Sequence, residues 1–173
     1  KLGTAQFNIK IDGFDMKGRY PESYVNGIIS SIEYSGYQYQ DITLDGIYKD
    51  GGFSGHLLLD DENGSFKING NFNLVQETPR FKLQASVSQF RPNKLKLSDK
   101  YIDSDISFHL NANFTGNSID NINGSIHLDS LVLNAPEGKG YFLDSLRITA
   151  QQNADEKTLN IESPFMQAMI QGK

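Results

Sequence analysis

The stretch Phe66-Lys67-Ile68-Asn69-Gly70-Asn71-Phe72-Asn73-Leu74 sets its large apolar residues two apart and fills the gaps with polar ones. Successive side chains of a strand point to opposite faces, so this run reads as a half-buried β-strand with one greasy face and one wetted face. Working outward, Phe81-Lys-Leu83-Gln-Ala85-Ser-Val87 and Ile106-Ser-Phe108-His-Leu110-Asn-Ala112-Asn-Phe114 repeat the pattern. Weaker versions cover 7–11, 28–34, 37–48, 53–59, 95–97, 126–133, 142–150 and 159–161. About a dozen strands follow, more than an average sheet carries. The fold class is therefore all-β. The pattern predicts an elongated antiparallel sheet, curved or folded over, with a closed β-sandwich as the alternative.

The punctuation agrees. Tyr48-Lys-Asp50-Gly51-Gly52-Phe53 supplies residues that tolerate positive φ between two apolar runs, which predicts a tight hairpin. Asp60-Asp-Glu62-Asn63-Gly64 does the same, with Asn63-Gly64 suited to a type I′ corner. A meander from Ile42 to Leu74 follows. Thr78-Pro79 and Arg91-Pro92 mark breaks, because proline cannot donate to a ladder. In Leu128-Asp-Ser-Leu131 and Leu143-Asp-Ser-Leu146 the apolar step is three residues. Such a step changes face unless one residue bulges out, so β-bulges are expected near Ser130 and Ser145, with the same slip between Tyr39 and Ile42. An apolar-x-Gly element recurs, as in Leu44-Asp-Gly46, Phe53-Ser-Gly55 and Ile68-Asn-Gly70, at irregular spacing that argues against a strict solenoid. The tail admits two readings. Ser163-Pro164-Phe165-Met166 could start a single helical turn, or Met166-Gln-Ala168-Met-Ile170 could continue the sheet.

Composition removes whole classes of function. The 173 residues carry 16 Lys+Arg against 21 Asp+Glu, a formal charge of −5. Nothing in that balance would release counterions from a nucleic-acid backbone, so no nucleic-acid partner is expected. There is no cysteine, which excludes disulfides, thiolate metal sites and cysteine nucleophiles. No apolar run is long enough to span a bilayer as a helix. The chain opens on Lys1 and stops in mid-pattern, so residues 1–173 read as a single β-rich segment excised from a longer chain.

Chemistry-bearing motifs are sparse. His56, His109 and His127 are the three histidines. A hairpin around Ser118 would bring His109 and His127 near each other, but no spacing supplies the further ligands that zinc requires. Asp60-Asp61-Glu62 lacks the alternating oxygens of a calcium loop and reads as a solvated hairpin tip. No nucleophile elbow, phosphate loop or dinucleotide fingerprint occurs, so neither an enzyme nor a cofactor is expected. Tyr34, Tyr37, Tyr39 and Tyr48 form a cluster. Cross-strand aromatic pairing accounts for it, and a glycan-binding platform is the competing account.

The runs Ser23-Tyr-Val-Asn-Gly27-Ile-Ile-Ser-Ser-Ile-Glu-Tyr34, Gly36-Tyr-Gln-Tyr-Gln-Asp-Ile-Thr-Leu-Asp-Gly46 and Ser163-Pro-Phe-Met-Gln-Ala-Met-Ile-Gln-Gly172 resemble the TamB family, the translocation and assembly module related to AsmA, in its Bacteroidetes form. The resemblance covers essentially the whole chain. It implies a periplasmic location, a parent chain anchored in the inner membrane, and an outer-membrane barrel partner of the TamA/BamA type engaged through parts absent here. It also implies a U-shaped "β-taco" with an apolar concave face that carries phospholipid between membranes or assists outer-membrane protein assembly. Asp129-Ser130-Leu131 and Asp144-Ser145-Leu146 further resemble the acceptor tripeptide of periplasmic O-glycosylation in those bacteria.

On that reading the apolar face is covered by acyl chains instead of by a second sheet. The expected lining is Phe66, Ile68, Phe72 and Leu74 of the first run and Phe81, Leu83 and Val87 of the second. Ile106, Phe108, Leu110 and Phe114 continue it, with Ile126 and Leu128 beyond. In the competing class, a secreted or surface β-sandwich binding carbohydrate or protein, the same residues form a closed core.

Overall fold

A computed structural model of the chain describes residues 2–15, 22–73, 77–100, 102–117, 121–153 and 156–172. The alternating runs become eleven strands of one sheet, paired strictly in chain order. They are β1 (Leu2–Asp15), β2 (Glu22–Tyr34), β3 (Tyr37–Lys49), β4 (Gly52–Asp61), β5 (Gly64–Asn73) and β6 (Arg80–Phe90), then β7 (Asp105–Thr115), β8 (Asn123–Asn134), β9 (Gly140–Asn153), β10 (Glu156–Ser163) and β11 (Met166–Gly172). Every neighbouring pair is antiparallel.

Two-residue corners join several of these strands, for reasons visible in their residues. Ser35-Gly36 and Asp50-Gly51 both have positive φ at both positions, the type I′ geometry whose twist matches the strands it joins. The Asp60–Gly64 corner differs from expectation. Glu62-Asn63 forms the loop between the paired Asp61 and Gly64, and the Asn63 amide donates to Asp61 Oδ1 at 2.9 Å. Gly64 opens β5 instead of completing the corner, and a Cβ there would press on the Phe90 backbone of β6. At the tail the sheet wins over the helical turn. Pro164-Phe165 is a hairpin corner, and Ser163 Oγ accepts from the Phe165 and Met166 amides at 3.3 and 3.1 Å.

Two of the three three-residue steps, at Asp41 and Ser130, carry a bulged residue, as their spacing implies. Asp41 and Ser130 both sit at φ 53°. The β7–β8 ladder shifts register between Ser107 and His109, opposite Ser130. With Ser130 pushed out, Leu128 and Leu131 face the same side, and β9 keeps step by pairing Leu146 and Leu143 with them. No shift separates β8 from β9 at Ser145. A further bulge at Gln89, φ 47°, keeps Val87 and Phe90 on one face.

Among the described residues no second layer closes the sheet. Substantial contacts between strands join only chain neighbours, so the closed-sandwich alternative does not apply. The chain exposes 11662 Å². A compact monomer of its 19.3 kDa would expose roughly 8,500 Å². The excess is what one layer leaves uncovered.

One stretch departs from the expected strands. Leu95–Leu97 lies in the connection between β6 and β7 and forms turns. Pro92 cannot donate to a ladder, and its carbonyl takes the Leu97 and Ser98 amides at 2.9 and 3.2 Å, which curls the segment onto itself. Leu95 is thereby buried on Tyr39 and Leu59, with Phe66, Phe90, Ile32, Tyr37 and Ile42 around them.

Candidate functional site

Register assigns the apolar residues to rows running across the strands. Phe53, Phe72, Phe81 and Phe114 are successive partners on β4 to β7. Phe81 stacks on Phe114 at 4.8 Å between ring centres, and Phe53 lies 5.6 Å from Phe72. Such pairs contribute about 0.5–1.5 kcal/mol beyond their area. Ile68, Leu110 and Leu128 lie in a second row, with Leu57 before them and Leu146 after. Phe66, Val87 and Phe108 continue Leu59 in a third, and Leu83 and Ile126 share the row of Gly46, Gly55 and Gly70. Ile106 pairs with Phe90 and Leu133 near the rim. The expected lining residues thus occupy one face, apart from Leu74, which lies outside the described residues.

None of them is fully buried. Phe72 remains 37% exposed in the middle of the sheet. Exposure rises toward both edges, reaching 66% at Phe7 on β1 and 57% at Ile170 on β11. Phe66 is the exception in kind: the chain itself covers it, through the Leu95 segment. The opposite face is mainly polar, although Ile28, Ile47 and Leu58 pair there with Thr43, Ser54 and Lys67 and stay exposed.

The wall has a notch. Gly46, Gly55 and Gly70 are consecutive partners on β3, β4 and β5, so three strands carry no side chain at one level. The backbones approach so closely there that a Cβ on Gly55 would fall on the Asp45 carbonyl oxygen and 2.6 Å from the Gly46 Cα. Over this notch opens a cavity of about 560 Å³, lined by Leu44, Tyr48, Phe53, Leu57, Ile68, Phe72 and Leu83 among others. That lies within the usual range of ligand pockets. Leu44, Tyr48, Phe53 and Leu57 were not foreseen as lining. Their alternation is masked by the Asp41 bulge and by the unbroken Leu57-Leu58-Leu59 run.

Charged groups keep to the other face or the rim. Tyr24 Oη and Asn26 Nδ2, the latter at 2.7 Å, both donate to Asp45 Oδ2. These bonds, Tyr24's first, hold the Asp45 carboxyl below its ordinary range. His56 Nδ1 lies 3.9 Å from the same carboxylate. His109 and His127 sit on adjacent strands, paired with Asp129 and Asn111 respectively, and His127 Nε2 is 3.1 Å from Asp129 Oδ1. Among the described residues no group of three or more His, Asp or Glu could hold a metal. The tyrosine cluster is cross-strand packing: Tyr34 pairs with Tyr37, whose ring meets Tyr39 edge-on at 4.8 Å. Tyr39 is buried and its hydroxyl donates to the Leu95 carbonyl at 2.7 Å, so it offers no platform to a sugar.

The class defined by these features is an open, single-layer antiparallel sheet with a continuous apolar wall. Comparison with family models, with curated proteins and with solved structures returned no match. No helix among the described residues is long and apolar enough to cross a membrane.

Proposed function

We propose that this chain is a segment of a TamB-like periplasmic bridge, and that its wall carries phospholipid acyl chains between membranes and/or assists outer-membrane protein assembly. The observation that carries the reading is the continuous apolar face, which the described residues cover at one small area and leave open elsewhere. Shielding a hydrocarbon there contributes about 0.8 kcal/mol per CH₂. Sliding along rows of similar side chains changes that little, so transfer requires no catalytic group. The polar face keeps the segment wetted. An inner-membrane anchor and a TamA/BamA-type barrel partner belong to the same reading, through parts of the parent outside these residues.

The test is mass spectrometry of organic extracts from protein purified without detergent out of its native envelope. Co-purifying phospholipid, lost when lining positions are charged, is the expected outcome. Lipid-free protein that also fails to take up a fluorescent acyl probe would remove the proposal. Recovery of the protein in the cytoplasmic fraction of its own cells would remove the periplasmic part.

A further inference from the structure

Where the wall is covered, its cover is an aliphatic side chain. The Arg91–Ser98 segment leaves β6, folds back across β5 and β4, and seats Leu95 at 0% exposure on Leu59 at 1%. It is held at three points. The Arg91 amide donates to the Asn63 carbonyl at 2.9 Å and the Leu95 amide to the Arg91 carbonyl at 3.0 Å. The Tyr39 hydroxyl fixes the Leu95 carbonyl at 2.7 Å. The glycine-floored cavity lies on the same strip of strands, toward the rim that carries the Asp50-Gly51 corner, and its last lining row is Leu44, Leu57 and Ile68. The next row on that face is Ile42, Leu59 and Phe66, the row under Leu95. Cavity and cover are therefore end to end along the strands.

We infer that Leu95 is a stopper that sets how long an acyl chain the cavity accepts. A chain entering over the Asp50-Gly51 rim lies along the notch at Gly55 and Gly70 until its terminal methyl meets the row that Leu95 occupies. Apart from His56, which alternation places on the opposite face beside Asp45, the lining residues carry no ionisable acid or base below the phenol of Tyr48, which suits an unbranched hydrocarbon and leaves a polar head outside the rim. Leu95 then acts as a specificity-determining residue by occupying the next stretch of wall itself. The inference rests on the acyl-carrying reading above.

Competition of a fluorescent fatty-acid probe by saturated fatty acids of increasing length tests it, on the native chain, Leu95→Gly and Leu95→Ala. In the native protein each added carbon is expected to tighten binding about fourfold, until the chain reaches the stopper and the gain ends. Leu95→Gly should move that limit to longer acids, with Leu95→Ala between the two. Leu95→Ala keeps the Cβ and the segment's backbone bonds, and supplies the answer should Leu95→Gly fail to melt cooperatively. Fatty acids that bind with an unmoved limit, or with none, overturn the stopper while leaving the acyl-carrying reading standing. A native chain that binds no fatty acid of any length overturns both.

Discussion

Tyr37 shows how single residues along the rim hold their neighbours. Its hydroxyl donates to Asp61 Oδ1 at 2.5 Å and accepts from Asn63 Nδ2 at 3.0 Å, tying β3 to the corner between β4 and β5. Burial, and then the bond to Asp61, push the phenol from 10.0 up to about 12. The folded chain holds this proton more tightly than the unfolded chain does. The stability it contributes is therefore complete below pH 10 and is lost as pH rises toward about 12. Burial also raises Tyr39, so both phenols work in the same direction. Urea midpoints measured across that window should fall steeply in the native chain and less steeply in Tyr37→Phe. Equal slopes would show that the hydroxyl carries no such linkage. The sequence made the tyrosine cluster visible as cross-strand pairing, but not this bond. Asp61 and Asn63 are distant along the chain, and only the register of β3 on β4 brings them to Tyr37.

At the scale of the strand, spacing was the readable signal, because side-chain period and ladder register are coupled. A three-residue apolar step has few physical solutions, and Ser130 takes the bulged one at φ 53°. Left-handed backbone costs an L-residue roughly 1–2 kcal/mol, more where the side chain branches at Cβ. Ser130→Gly should therefore be neutral or stabilising by up to about 1 kcal/mol, while Ser130→Val should destabilise by about 1–2 kcal/mol. Chemical denaturation of the two variants distinguishes them, and equal stabilities would mean that the bulge relaxes elsewhere. Leu95–Leu97 misled for the same reason that the other runs informed. Alternation over three residues fits a strand and a curled turn alike, and Pro92 decides between them by closing hydrogen bonds within the segment. Leu57-Leu58-Leu59 hid a lining strand in the opposite way, since Leu58 is apolar on the polar face. The Gly46-Gly55-Gly70 notch was beyond sequence reading: the glycines were plain, their alignment depends on three strands pairing at one level.

Across the whole molecule, the question is what an apolar residue experiences when only one layer exists. In a sealed core, a carboxylate in place of a phenylalanine loses its water and unfolds the protein, since an unpaired buried ion costs many kcal/mol. Phe72 is central in the sheet and lines the cavity, yet it is 37% exposed, so a carboxylate there can reach solvent. Phe72→Asp should therefore stay folded. It loses the tilted contact with Phe53 at 5.6 Å and part of its packing, for a cost of roughly 1–2 kcal/mol. Binding should respond far more strongly. A hydrocarbon lying over the notch would have to strip water from the new charge, so acyl-probe affinity should fall at least about tenfold. Circular dichroism and thermal melting monitor the fold, and probe titration monitors the wall, on the same sample. Two outcomes contradict the open-wall account. A Phe72→Asp chain that no longer folds means that the position behaves as closed core, and one that binds the probe as tightly as the native chain means that the hydrocarbon does not lie over the notch.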